Sequence, residues 1–434
     1  MVMKRLRMSW NSGTLAGLVL LVAGQAGATQ PLESFLDRAK THSFDAREAS
    51  ATERQRVSEA DAAIGKLAPS FSARGVYTRN QYEAAVQLPG AATKLVITPL
   101  NQLDAFLQLD VPIIDLASYH RYKAASALAA SATEQESATT VDVGRSVARS
   151  YYTFLGADAL VQSAKESIKA AVANLKNVDD RRAAGAATDL DHERAAASVA
   201  RAEQDLADAE LSEALAARAL ETLSGLTPAP AEAAAEDDLH GEGQLGGWLT
   251  LAASAPGQRV AQRLGEAAAQ NRKAANRALF PTLAGSAQER ITNATGFSGR
   301  TSAYTLQLVL SWRLDYGTIA SNDAQSAALD VQRVRVERTR RAAEDGAFEA
   351  FRRVEAGVVK SRAARAQASA ATRAASLSAD RYGAGVATQL DVTQAQRDAF
   401  LAAAAKIQAD ADLAFARASL RLASGVAVSD KRPR

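Results

Sequence analysis

The 434-residue chain contains no cysteine. That absence excludes a disulfide-stapled fold, a thiolate-ligated zinc site and a thiol nucleophile. An excess of one charge is missing as well. Lys and Arg number 51 against 48 for Asp and Glu, and residues 1–28 hold Lys4, Arg5 and Arg7 with no acid. The remainder therefore balances, which removes an electrostatic reason to bind nucleic acid or acidic lipid. Beyond residue 28 no stretch offers 18 uninterrupted apolar residues, so no later segment reads as a membrane-spanning helix. Aromatics are few, at 5%, and there are only ten prolines, against an abundance of Ala, Arg, Glu and Gln. That balance is helical.

The first residues read as a secretory signal. Lys4, Arg5 and Arg7 form a basic head, Leu15–Ala23 an apolar centre, and Ala26-Gly27-Ala28 a small-x-small cleavage site. The apolar run is too short for an anchor, and no cysteine follows it to take a lipid. The expected mature chain starts at residue 29 and leaves the cytoplasm. There it is either soluble in the periplasm or inserted as a β-barrel, since only helices and closed barrels satisfy their backbone in lipid.

An internal repeat runs at an offset of 200. Gly185-Ala186-Ala187-Thr188-Asp189-Leu190-Asp191 aligns with Gly385-Val386-Ala387-Thr388-Gln389-Leu390-Asp391, Asp180-Arg181 with Asp380-Arg381, and Ser224-Gly225 with Ser424-Gly425. The expected division is a signal at 1–28, a first repeat at 29–225, an irregular Pro- and Gly-containing connector at 226–257, a second repeat at 258–425 and a tail at 426–434. Each repeat reads as helix, two strands, a long helix, a Gly turn and a second long helix. The long helices are expected at about 116–182, 188–223, 319–381 and 388–423. The longest would reach roughly 100 Å at 1.5 Å per residue, too long for a globular core. In the first copy Val147, Ser150, Phe154, Ala157, Val161, Ala164, Ile168, Ala171, Leu175 and Val178 step by three and four, a coiled-coil seam.

The strands follow a different period. Tyr304, Leu306, Leu308, Leu310, Trp312 and Leu314 alternate with Thr305, Gln307, Val309, Ser311 and Arg313. Tyr304 and Trp312 stand about 26 Å apart along an extended strand, close to the ~25 Å apolar band of an outer-membrane barrel. Leu103–Val111 alternates likewise, and Ser70–Tyr82 and Thr282–Thr292 are weaker partners. A sheet packed on one face in a soluble domain would show the same alternation. In lipid, four strands cannot close a barrel, so protomers must pool them, two giving eight or three giving twelve. Twelve leaves a water-filled lumen, whereas eight is filled by side chains. The expected fold is mixed but mainly α: a long coiled-coil helical barrel plus a β-barrel to which each protomer of a homotrimer gives four strands.

With Pro69 and Pro281 before the strands, Arg381-Tyr382-Gly383-Ala384-Gly385, and Gln389-Leu390-Asp391-Val392, nearly the whole mature chain resembles the TolC family of outer-membrane efflux channels. The resemblance implies a homotrimeric duct in outer-membrane lipid, extending into the periplasm and docking on a periplasmic adaptor (membrane fusion) protein and an inner-membrane transporter. It implies no catalysis. It also places Gly185 and Gly385 at the tip turns and Asp191, Asp391, Gln394 and Tyr382 at a periplasmic aperture. There Asp391 would line the constriction and Tyr382 would bond Asp191. Gln394 and Ala387 depart from the family's acid and closing arginine, implying a less acidic, more lightly latched tip. Pattern alone offers another role, because Thr188-x-x-Asp191 and Thr388-x-x-Asp391 resemble capping boxes.

Chemistry is otherwise absent from the sequence. His42, His120, His192 and His240 are scattered, with His192 read as a solvated turn residue, and no nucleophile elbow or phosphate loop occurs. No cofactor is expected. The basic run Arg333–Arg341, interrupted by Glu337, reads as a solvated helix face or an adaptor contact. The leading function is the outer-membrane duct of a tripartite efflux system. Alternatives are a type I protein secretion channel and a periplasmic coiled-coil scaffold.

Overall fold

A computed structural model describes residues 30–87, 89–90, 94–230 and 237–426. The signal segment with its cleavage site, residues 231–236 of the connector and most of the tail lie outside the described residues. Two helices, α1 (Leu32–His42) and α2 (Phe44–Ile64), lead into strand β1 (Ser70–Arg79). A small hairpin, β2 (Ala84–Val86) and β3 (Leu95–Thr98), precedes β4 (Asn101–Ile114). Then come α3 (Leu116–Ala183) and α4 (Asp189–Ser224). The second half runs α5 (Leu245–Ala252), α6 (Pro256–Arg277), β5 (Thr282–Thr292), β6 (Ser302–Ser311), α7 (Tyr316–Gly383) and α8 (Gln389–Ala423). The chain is mainly helical with a small sheet.

α3 and α7 are 68 residues each, roughly 100 Å long. Each starts on an aspartate that caps it, Asp115 accepting from Ser118 N–H and Asp315 from Thr318 N–H, both at 2.8 Å. Both are held along their length by neighbours, α3 packing against α4 and α8, and α7 against α8. The seam is where the three-four pattern put it: Val147, Phe154, Val161, Ala164, Ala171 and Val178 are buried on α3, and Ala347, Ala350, Val354, Ser361, Ala364 and Ala368 on α7. On α4 Ala195, Ala202, Ala209 and Ala216 are buried at heptad spacing, followed by Leu220 and Ser224. The largest apolar cluster lies near mid-helix, where Phe35 of α1 packs with Val147, Tyr151, Phe154 and Leu220.

Three expectations are corrected. The connector is not wholly irregular, since α5 forms within it and α6 begins at Pro256. Two glycines make α5 a poor autonomous helix, but Trp248 is fully buried against Phe351, Val354, Leu413 and Leu420, and that packing overrides propensity. Trp312 and Leu314 lie past the end of β6, and the Trp312 indole N–H donates to the Leu279 carbonyl at 3.0 Å. Finally β1 ends at Arg79 rather than near Tyr82, where Asn80 turns the chain with its N–H on the Leu100 carbonyl at 2.9 Å.

The main sheet is antiparallel throughout, in the order β1-β4-β5-β6. The halves meet at β4–β5, so β1 and β6 are the free edges. All four strands stand at one end of the long helices, and the two Gly turns stand at the other.

Candidate functional site

Two regions carry the residues singled out by sequence. The first is the sheet. Register places Leu306 opposite Ala287, Leu308 opposite Gly285 and Leu310 opposite Leu283, and continues through Leu109 and Val111 of β4 to Phe71 of β1. Opposed residues share a face. Apart from Glu289, which the register puts opposite Tyr304 and Leu107, and the polar residues at the strand ends, this face is apolar across the four strands, and it is uncovered: Tyr304, Leu306, Leu308 and Leu310 are each about 70% exposed, at 77, 71, 68 and 69%. The opposite face carries Arg74, Gln102, Asp104, Gln108, Asp110 and Arg290, with Arg290 bound to Asp104 at 2.8 Å. A water-soluble one-sided sheet buries its apolar face and solvates its polar one; here the apolar face is the more exposed of the two.

The second region is the turn end. α3 and α7 both finish in the same motif. Gly185 and Gly385 adopt left-handed backbone (φ +74° and +79°), Ala186 N–H reaches the Arg181 carbonyl at 2.7 Å, and Val386 N–H reaches the Arg381 carbonyl at 2.9 Å. These are Schellman closures, which need a residue without Cβ at the left-handed position. Each next helix opens with a complete capping box. Asp191 N–H donates to Thr188 Oγ1 at 3.2 Å while Thr188 N–H returns to the Asp191 carboxylate at 3.1 Å. In the second copy the same bonds measure 3.2 and 2.8 Å. The Thr188 hydroxyl, then its N–H, hold the Asp191 carboxyl below its usual range. For Asp391 the Thr388 N–H leads and the hydroxyl follows, again lowering it. Both carboxylates are ionised at neutral pH and satisfy their own helix starts.

Asp391 and Gln394 are exposed and Asp191 is half-buried. Tyr382 is buried with Val178, Ala195 and Val392. Burial first, and the nearby Asp191 charge second, raise its phenol above the ordinary value. The expected bond between that hydroxyl and Asp191 is not formed, because the carboxylate is turned to Thr188. What crosses the turn end instead is Arg181. Its Nη1 donates to the Tyr382 carbonyl at 2.5 Å and to the Gly383 carbonyl at 3.1 Å, and its guanidinium lies 4.7 Å from the Tyr382 ring centre. His192 pairs with Asp179 at 2.7 Å, a surface contact consistent with a turn residue.

Sequence reading also missed a buried ionic clasp on the connector. Arg417, 5% exposed, binds both carboxylate oxygens of Asp237 at 2.7 and 2.9 Å, Glu242 at 2.7 Å and the His240 carbonyl at 2.7 Å. Alternating charges in the connector and on α8 were the only signal. Among the described residues Asp237, Asp238 and His240 lie close enough to share a cation. Arg417 already neutralises Asp237, so the group reads as structural. No described helix is long and apolar enough to cross a membrane.

The architecture has known counterparts. No curated protein matches the chain by sequence. Among solved structures, the CmeC outer membrane channel of Campylobacter jejuni superimposes with a TM-score of 0.77 at 15% identity, covering 98% of this chain and 95% of that one. The outer membrane protein VceC of Vibrio cholerae gives 0.75 at 19% identity, covering 92 and 97%. The Neisseria gonorrhoeae MtrE outer membrane channel, in its open state, gives 0.76 at 20%, covering 92 and 90%. These likenesses describe the fold. The sequence pattern of one family, described as outer membrane efflux protein, matches residues 35–226 and 251–426. The chain belongs to the outer membrane efflux protein family.

Proposed function

We propose that the protein is the outer-membrane duct of a tripartite efflux system, a passive exit channel built from three copies. The observation that carries this reading is the uncovered apolar face of a sheet with two open edges. In hydrocarbon each unpaired backbone group is costly, so β6 of one protomer must pair with β1 of the next until the ring closes. Three protomers give twelve strands and a wet lumen lined by the face that carries Arg74, Asp104 and Gln108.

The helices support the same assembly. Exposed Leu211 and Leu215 on α4 and exposed Val359 on α7 lie at matching heights above the turns. α4 of one protomer against α7 of its neighbour would bury them and continue the small-residue seams into a tunnel. At the turn end, three copies of Asp391 would line a cation-attracting aperture, softened by Gln394 and left without a closing arginine at Ala387. A periplasmic adaptor and an inner-membrane transporter would deliver the substrate. The duct itself performs no reaction, and its polar lining is too generic to name a cargo.

The test is reconstitution into planar bilayers. The protein should form ion-conducting channels that prefer cations, and Asp391→Asn should weaken that preference with assembly unchanged. A chain that conducts nothing, and that is recovered from cells in the soluble periplasmic fraction, would instead be the coiled-coil scaffold.

A further inference from the structure

We propose that a groove at mid-height of the long helices is a binding site for an amphipathic anion, an apolar body carrying one acidic group. Its place inside a tunnel rests on the duct reading above.

The groove follows from how the two halves are stacked. Toward the sheet α6 lies between α3 and α7, and toward the turns α8 does. α8 stops at Ala423 and α6 starts at Pro256, so a gap opens where one helix hands over to the other. It encloses about 720 Å³, and a further cavity of about 370 Å³ runs on along α3 and α8. Arg149, Asp412 and Phe415 line both, which makes one continuous groove. The first part alone has the size of a small-molecule cleft, roughly 300–1,000 Å³.

Helical phase gives its direction. On α3, Arg145, Arg149 and Gly156 stand about half a turn from Val147, Tyr151 and Phe154, which pack with α1. On α7, Glu349, Arg353 and Lys360 stand on the side away from Phe351 and Val354, which pack with α5. α1, α5 and the connector thus cover one side of the helix layer, and the groove opens on the other. In a closed ring those added elements belong outside, where they leave the lumen clear, so the groove faces into it.

The walls select the guest. Val141, Phe415, Ala416 and Leu422 supply apolar surface. Two of the cations around them are already neutralised, Arg145 by Asp142 at 3.2 Å and Arg353 by Glu349 at 2.6 Å. Arg149 and Lys360 have no carboxylate partner among the described residues. The Arg149 guanidinium lies 5.5 Å from the centre of the Phe415 ring, so free charge and apolar floor meet at one place. Against these two cations stands one acid without a cation, Asp412, which accepts from Gln408 at 2.9 Å. A guest with an apolar body and an acidic head satisfies both kinds of wall, and a guanidinium fork matches a carboxylate or phosphate. Unlike the polar lining of the strands, this wall discriminates.

Gly346 keeps the groove open. Glycine is a poor helix residue, yet it stands near the middle of a 68-residue helix. A Cβ at Gly346 would meet nothing within 4 Å, whereas one at Gly156 would meet Ala411 at 3.4 Å and one at Gly357 would meet Leu413 at 3.1 Å. Close packing explains the latter two. At Gly346 the missing side chain leaves room in the cavity instead.

The experiment uses the full-length protein in lipid nanodiscs, read as saturable signal above empty discs. The probe is anilinonaphthalene sulfonate, with uncharged phenylnaphthylamine as its matched control, and fluorescence gives affinity and stoichiometry. The sulfonate should bind at one site per chain, more tightly than the control. Gly346→Leu, which fills the groove and improves the helix, should abolish that binding. Arg149→Gln combined with Lys360→Gln should weaken the sulfonate roughly tenfold or more, the factor for one lost charge-assisted hydrogen bond, and leave the control unchanged. In planar bilayers the sulfonate should reduce the current through the wild type and spare Gly346→Leu. The site is refuted if the sulfonate binds no better than the control, or if Gly346→Leu binds it as the wild type does. Saturable binding by protein that forms no channel would keep the site and overturn the duct reading.

Discussion

Leu308 is the residue whose surroundings differ most between lipid and water. It is the seventh of the ten residues of β6, four from Tyr304 and hence about 13 Å inside that end of the expected apolar band. Its cross-strand partner is Gly285, so no neighbouring side chain shields it, and it is 68% exposed. Leu308→Arg would put a guanidinium close to the bilayer midplane, at a cost of roughly 2–4 kcal/mol per copy. Three copies in a trimer multiply that cost. Gln307→Arg is the matched control: it is adjacent in sequence, opposite Ser286 on the polar face, and should cost close to nothing. Guanidinium unfolding of vesicle-reconstituted protein reads both. Equal midpoints for Leu308→Arg and Gln307→Arg would refute the assignment of this face to lipid.

Other perturbations test other links. The lowered carboxyls of Asp191 and Asp391 contribute stability that is present above the ordinary carboxylate range and is lost as pH falls through their depressed folded values. Hydrogen exchange in the first turns of α4 and α8 should therefore accelerate below about pH 4, ahead of mid-helix segments. Arg417→Met takes the bidentate partner from Asp237 and leaves the buried Glu242 with Arg421 at 3.4 Å, which should destabilise the connector by about 3–5 kcal/mol and lower the melting temperature. Ala209→Leu overfills a fully buried alanine position and should cost about 1–3 kcal/mol in thermal unfolding, whereas Leu211→Ala, exposed in the protomer, should matter only for assembly.

The long-range architecture was legible because it is periodic. A 68-residue helix declares itself over many turns, and both α3 and α7 end within a few residues of where the Gly turns placed them. The alternation around Leu308 declared a strand just as plainly, and the Thr-x-x-Asp spacing announced both capping boxes. What escaped was aperiodic. α5 is eight residues with two glycines, and only the burial of Trp248 makes it a helix. Trp312 continued the alternation on paper, but the strand ends at Ser311 and the Trp312 indole N–H bonds the Leu279 carbonyl. Arg181 and Arg417 are single arginines in an arginine-rich chain. Their importance comes from what lies across the fold, near positions 382 and 237, which no local pattern encodes.

A barrel shared among protomers fixes the subunit number. Mass measurement of the detergent-solubilised protein should return three chains, with no stable monomer on dilution. A monodisperse monomer or dimer would contradict a twelve-stranded shared barrel, because four or eight strands cannot enclose an open lumen.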